Sequence, residues 1–255
     1  MSVGDRSTAR STEGRLDVLE GIHRRMPKAL RPRGGPKPRG TPSRQASLPR
    51  ELVDEVRRST RVQDQEQVLS RLARAIELLE RGDSGAAAAE AEKAKRQANR
   101  SAAVREVLGL AYYGQGRWQD AVTELKAYRR ISGRPDQNHL IADSLRGLGR
   151  PHEVVPLAEE ALRDRKVPAD AKAEAVIVAA SALADQGRTV EALAFLRRAA
   201  TEEDVSEPWT LRLWYVRGDI LEKAGRRDDA AAEFRRIVRH DAGAFDAAER
   251  LAALG

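Results

Sequence analysis

Residues 108–128, LGLAYYGQGRWQDAVTELKAY, and residues 214–234, WYVRGDILEKAGRRDDAAAEF, carry one pattern twice. In each, a stretch of helical period stops at a glycine and a second stretch begins directly after it. Gly116 and Gly225 mark the break in these two, and Gly82, Gly149 and Gly187 mark it elsewhere. The spacings are 34, 33, 38 and 38 residues. Glycine suits the left-handed position just past a helix end, where a Cβ is penalised. Its return at this interval predicts a stack of helix-turn-helix units.

Taking each glycine as position 15 of a unit brings like residues together. A small residue recurs in the first helix at Ala75, Gly109, Ala142, Ala180 and Gly218. Its counterpart in the second helix is Ala87, Ala121, Val154, Ala192 and Ala230. Two helices approach to about 8–10 Å only where small side chains meet. Larger residues fill the layer between: Leu78, Tyr112, Leu145, Leu183 and Leu221, with Leu125, Leu196 and Phe234 opposite. In four units the glycine is followed by arginine: Arg117, Arg150, Arg188 and Arg226. Arg71, Arg105 and Asn138 stand where a large apolar residue is expected, and Arg74 and Arg217 where leucine is expected. Pro156 predicts that the helix around it starts late or bends.

The second and fifth units resemble the tetratricopeptide repeat, whose pattern is W-x2-L-G-x2-Y, then A-x3-F, then a proline. Leu108, Gly109, Tyr112, Ala121 and Leu125 take the L, G, Y, A and F places in one. Trp214, Gly218, Leu221, Ala230 and Phe234 take the W, G, Y, A and F places in the other. The resemblance implies an all-α, right-handed superhelical solenoid of about five repeats over residues 67–243. An N-terminal cap helix and linker fall at 48–66 and a C-terminal cap helix at 244–255, since a solenoid needs its terminal apolar faces covered. The chain as a whole resembles small actinobacterial proteins of this family that carry a basic Pro/Arg-rich leader.

In the family, the first helix of each unit lines a concave groove through positions 2, 5, 9 and 12. Carried onto this chain, the second unit supplies Ala103, Glu106, Leu110 and Tyr113, and the third Asp136, His139, Asp143 and Arg146. The fourth supplies Glu174, Ile177, Ser181 and Ala184, and the fifth Arg212, Tyr215, Asp219 and Glu222. Well-known members grip a peptide's C-terminal carboxylate with lysines and asparagines at these places, and none occurs here. Six carboxylates against two arginines suit a basic or amphipathic segment instead. The same charges also fit a plain solvated helix face.

Charge is segregated along the chain. Residues 1–50 hold 12 Lys+Arg against 4 Asp+Glu, and residues 51–255 hold 34 against 35. Between Arg24 and Arg50 there are nine basic residues, six prolines and no acid. Proline density and scarce apolar residues predict a disordered basic tail over 1–47. Leu16, Leu19, Ile22 and Met26 outline a short helix within 12–26. The tail reads either as a solubilising extension or as an anchor for RNA, DNA or an acidic surface, with Arg24, Arg25, Lys28, Arg31, Arg33, Lys37 and Arg39 as its cations. It has no aromatic residue for base stacking, so nucleic-acid contact would be to phosphate. A flexible tail of this length reaches about 40 Å, enough to occupy the groove in cis or in a neighbouring copy.

Chemistry-bearing motifs are absent. There is no cysteine, and the four histidines, His23, His139, His152 and His240, lack metal-ligand spacing. No phosphate-cradling loop, nucleophile elbow or dinucleotide fingerprint occurs. No run approaches the roughly 18 apolar residues of a membrane span. The N-terminus, MSVGDRSTARSTEGR, has no apolar h-region, so a cytoplasmic location is expected. These readings predict a non-catalytic scaffold, without cofactor or metal, that binds a peptide or helix of another protein. The alternative is an RNA- or ribosome-associated adaptor using the tail, and self-association through the repeats is a third expectation.

Overall fold

The computed structural model describes residues 48–199 and 209–255. The expected helix at 12–26 and the tail cations from Arg24 to Arg39 lie outside these residues. The described residues form twelve α-helices and no strand. They fall into two compact halves that meet in sequence at Gly133 and Arg134.

The N-terminal half contains α1 (Arg50–Ser59), α2 (Gln65–Glu80), α3 (Ser84–Gln97), α4 (Ala102–Gly114) and α5 (Trp118–Ser132). The pairs α2–α3 and α4–α5 are the first two hairpins. The C-terminal half contains α6 (Asn138–Gly147), α7 (Val154–Arg163), α8 (Ala169–Asp185), α9 (Thr189–Leu196), α10 (Thr210–Lys223), α11 (Arg227–His240) and α12 (Ala247–Leu254). Here α6–α7, α8–α9 and α10–α11 are hairpins three to five.

One turn is built five times. Gly82, Gly116, Gly149, Gly187 and Gly225 all have φ between 68° and 80°. Each glycine amide donates to a carbonyl three residues back, and the next amide reaches five residues back. Arg117 N to Tyr112 O and Arg226 N to Leu221 O, both 2.9 Å, are two instances. These paired bonds satisfy carbonyls that the helix end leaves orphaned. The arginine after the glycine then clasps a carboxylate three residues on. Arg117 pairs with Asp120 at 2.8 Å, Arg150 with Glu153 at 2.5 Å, Arg188 with Glu191 at 2.6 Å and Arg226 with Asp229 at 2.6 Å. In the first hairpin Asp83 takes over by capping Ala86 N at 3.0 Å.

The small residues sit where the helices cross. Ala75, Ala142 and Ala180, and opposite them Ala87, Ala121, Val154, Ala192 and Ala230, are all fully buried. At Gly109 an added Cβ would lie 2.6 Å from Leu125 Cδ2, and at Gly218 2.9 Å from Phe234 Cε1. Glycine there is a matter of space, since both residues are ordinary helix.

Four of the five polar departures from the repeat pattern are paired across their hairpins, and the fifth, Arg74, binds Glu77 within α2 at 2.9 Å. Arg105 reaches Glu124 at 2.6 Å, Arg71 reaches Glu90 at 3.7 Å and Arg217 reaches Glu233 at 3.5 Å. Asn138 donates to Leu157 O at 2.9 Å. Each of these four side chains therefore meets an acceptor at one register position of the second helix. The helix around Pro156 starts late, because a 3₁₀ turn at Pro151–Glu153 delays α7 to Val154. Pro156 then falls in the first helical turn, where no amide donor is needed.

Candidate peptide-binding face

In the N-terminal half the first helices are α2 and α4. Positions 2, 5, 9 and 12 of the first repeat are Leu69, Leu72, Ile76 and Leu79, and all are buried. The expected groove residues of the second repeat, Glu106, Leu110 and Tyr113, are buried as well. The ring of Tyr113 meets Trp118 edge-on at 5.2 Å. Helix α1 packs against both α2 and α4. Its Val56 is fully buried, and Leu52 and Val53 are half-buried. Glu55 fixes the register of this contact. Its carboxylate accepts from Ser101 Oγ at 2.6 Å, Ala102 N at 2.7 Å and Ala103 N at 3.3 Å. These donors open α4, where free amides and the helix dipole favour an anion. At the other end, Gln65 Nε2 donates to Arg57 O at 2.9 Å and ties α1 to the start of α2.

In the C-terminal half the first helices are α6, α8 and α10, with α6 against α8 and α8 against α10. Three of the six residues at positions 2 and 5 are buried where neighbouring first helices pack. Glu174 and Ile177 are buried, and Arg212 closes on Glu174 at 3.0 Å. Asp136, also buried, is met by Arg134 at 2.6 Å. Burial follows from side-by-side packing of first helices, so Glu106, Leu110, Tyr113, Asp136, Glu174 and Ile177 do not line an open groove. The other candidates, His139, Asp143, Arg146, Arg212, Tyr215, Asp219 and Glu222, remain partly exposed.

Arg146 shows that these helices share one face. It binds Asp185 at 2.5 Å and Asp143 at 3.6 Å. Burial works against its charge, but the Asp185 hydrogen bond and the fields of Asp143, Asp185 and Asp219 outweigh it, so the guanidinium is held above its ordinary value. Those three acids come from α6, α8 and α10.

Helix α12 adds a second cation. Arg250 binds Asp219 at 3.0 Å and Glu222 at 2.5 Å, and lies over the rings of Phe234 and Tyr215 at 4.5 and 5.3 Å. Tyr215 donates to Asp246 at 2.7 Å, and burial followed by this bond pushes its phenol up, so it stays neutral. Phe245 takes φ 55° in the turn before α12, with its ring 4.7 Å from Tyr215. Lys223 also pairs with Asp219, at 2.7 Å. The face is therefore less acidic than its own four register positions imply, because Lys223, Arg134 and Arg250 come from outside them.

Several residues lie outside the sequence-based candidates: Glu55, Ser101 and the stripe from Leu69 to Leu79 in the N-terminal half, and Asp185 and Arg250 in the C-terminal half. The stripe was readable, since the same register count that gave Glu106 gives those four apolar residues. Glu55 and Arg250 lie outside the repeats, where no register applies. Among the described residues no cluster of His, Cys, Asp or Glu has metal-site geometry, and no helix is long and apolar enough to cross a membrane.

Comparison with known proteins agrees with this geometry. Among solved structures the chain is similar to YrrB, a TPR protein with an unusual peptide-binding site, with TM-score 0.51 and 17% identity over 71% of this chain and 90% of that one. It is also similar to a thermophilic TPR protein of Thermus thermophilus, with TM-score 0.55 and 16% identity over 73% and 98% of the two chains. No curated protein sequence matches significantly. The tetratricopeptide repeat pattern matches residues 72–135 and 139–207, more than half of the chain. With five left-handed glycine turns in register and small residues buried at every hairpin crossing, the chain belongs to the tetratricopeptide repeat family.

Proposed function

We propose that the protein is a non-catalytic scaffold whose first-helix face in the C-terminal half holds a basic or amphipathic segment of another protein. Repeats of this family generally mediate protein–protein interactions and are typically non-enzymatic. The supporting observation is the cluster around Arg146, where Asp143, Asp185 and Asp219 from three first helices converge on a partly exposed surface. Tyr215 beside it offers an aromatic platform. An incoming lysine or arginine would exchange for Arg146 or Lys223 at these carboxylates, while aliphatic neighbours rest on the ring.

Selection of a displayed random peptide library on the full chain tests this. Enriched peptides should combine Lys or Arg with aliphatic residues. Asp143→Ala and Asp219→Ala should each weaken them about tenfold, the worth of one charge-assisted contact. Val190→Ser, at an exposed site on α9, should leave binding unchanged. Peptides indifferent to both aspartates would remove the reading.

A further inference from the structure

Helix α1 is not part of any repeat, yet it lies on the first helices of two of them. It has ten residues, a length at which an isolated helix is marginal, so it is helical because of its seat. Its attachment is narrow. One side chain, Val56, is fully buried, and Leu52 and Val53 are half-buried. Its polar ties are the carboxylate of Glu55 on three donors at the start of α4 and the Gln65 amide on Arg57 O. Glu51, Asp54, Arg57 and Arg58 on the other side are exposed. On α2, against which it packs, Leu69, Leu72, Ile76 and Leu79 are all buried. This is the arrangement of a helix in a groove, with aliphatic anchors and an acid that reads out the end of a neighbouring helix.

We propose that the surface of α2 and α4 beneath α1 is a docking site for a partner helix carrying the pattern Leu-Val-x-Glu-Val, and that α1 is its resting occupant. The pattern is that of residues 52–56, and the seat recognises it by two features. Aliphatic side chains spaced one and four residues apart meet the apolar stripe, and the glutamate meets Ser101 Oγ and the amides of Ala102 and Ala103. A competing helix gains access when α1 opens, so its apparent affinity is lowered by the fraction of time that α1 is seated. The inference rests on the scaffold reading above but places a different ligand chemistry on a different half of the molecule.

The probe is a fluorescein-labelled peptide of residues 49–60, measured by anisotropy against the full chain. Val56→Asp in the protein places a carboxylate at the buried contact and evicts α1. The peptide should bind this variant at least about tenfold more tightly than the wild-type chain, whose own α1 competes. A peptide bearing Glu55→Gln should lose about tenfold on the same variant, having given up a charge-assisted set of bonds. Asp143→Ala and Asp219→Ala should leave this peptide's affinity unchanged, so loss of one reading does not carry the other with it. Failure of the peptide to bind a folded Val56→Asp chain would overturn the proposal, as would sensitivity to the two aspartates. Hydrogen exchange on the wild-type chain needs no variant. The α1 amides should exchange on the order of 100-fold faster than those of α4, through opening of α1 alone. Equal protection would make α1 a fixed part of the fold and end the idea.

Discussion

The two halves of this protein are built by one packing rule and finished in opposite ways. In both, small residues bring paired helices together and a left-handed glycine turns the chain. The N-terminal half then carries an apolar stripe, Leu69, Leu72, Ile76 and Leu79, all buried, on the helix that α1 packs against. The C-terminal half presents Asp143, Arg146, Asp219 and Glu222, and knits them with Arg250 and Asp185 while leaving them partly exposed. The difference teaches that repeat register dictates the hairpin interior and says little about the outer face. The interior is constrained by helix–helix distance, which admits few side chains. The face is constrained only by whatever lies on it.

The largest effect tests whether the interior rule is truly shared. Ala87 and Ala230 are equivalent crossing positions in the two halves, and both are fully buried. Ala87→Glu and Ala230→Glu should each bury an unpaired carboxylate between two helices and cost roughly 3–5 kcal/mol. Thermal denaturation should show both melting well below wild type and by similar amounts. A large cost at one site and none at the other would break the common register.

Next in size is the close approach at the two helical glycines. An alanine at position 109 gains about 1 kcal/mol of helix propensity. Its Cβ, however, would lie 2.6 Å from Leu125 Cδ2 and 3.3 Å from the Leu125 backbone nitrogen. Overpacking of that kind costs about 1–3 kcal/mol. Gly109→Ala should therefore destabilise by a net of up to ~2 kcal/mol, and Gly218→Ala by less, because the contact there is 2.9 Å to a ring edge. Chemical denaturation of both variants reads the order directly, and a reversed order would mean that the first hairpins yield more easily than the last.

Removing Arg250 probes the polar finish of the C-terminal half. Arg250→Met keeps an unbranched apolar side chain but gives up Asp219, Glu222, the Tyr215 hydroxyl and the guanidinium's place over Phe234. The acids are partly exposed, so the loss should be about 1–2 kcal/mol and smaller in high salt. Hydrogen exchange should localise it to α12 and the end of α10, with α1 to α5 unaffected.

What the sequence made legible follows the same division. The glycine positions, the crossing residues and the buried layer were readable because each is forced by a distance or a dihedral angle. Arg71, Arg105 and Arg217 looked like departures from the pattern, and the acceptors that explain them, Glu90, Glu124 and Glu233, share one register position in the second helix. That pairing was present in the sequence and needed the two helices to be read together. The Gly-Arg-x-x-acid recurrence is equally present in the sequence, and it takes the folded turn to show that the arginine and the acid meet. Glu106, Leu110, Tyr113, Asp136, Glu174 and Ile177 were misassigned to an open groove for a different reason. Whether a first-helix position is open depends on the neighbouring first helix and on α1, and neither is encoded within the unit.

The smallest effect concerns an ion pair that joins two repeats in the C-terminal half. Arg198, just past the end of α9, holds Glu159 of α7 through both guanidinium nitrogens. That hydrogen bond, ahead of the opposing effect of burial, lowers the Glu159 carboxyl below its ordinary value. A depressed carboxyl stabilises the folded chain at any pH above the unfolded-state value. The contribution fades as pH falls through the unfolded and then the folded value, because the protonated acid no longer pairs. Wild type should therefore lose more stability than Arg198→Ala on going from pH 6 to about pH 3, with the difference under ~1 kcal/mol because the pair is partly solvated. Parallel urea melts across that range measure it. Equal acid sensitivity would show that the two repeats are joined here by apolar packing alone, and would bring the C-terminal half closer in kind to the N-terminal one.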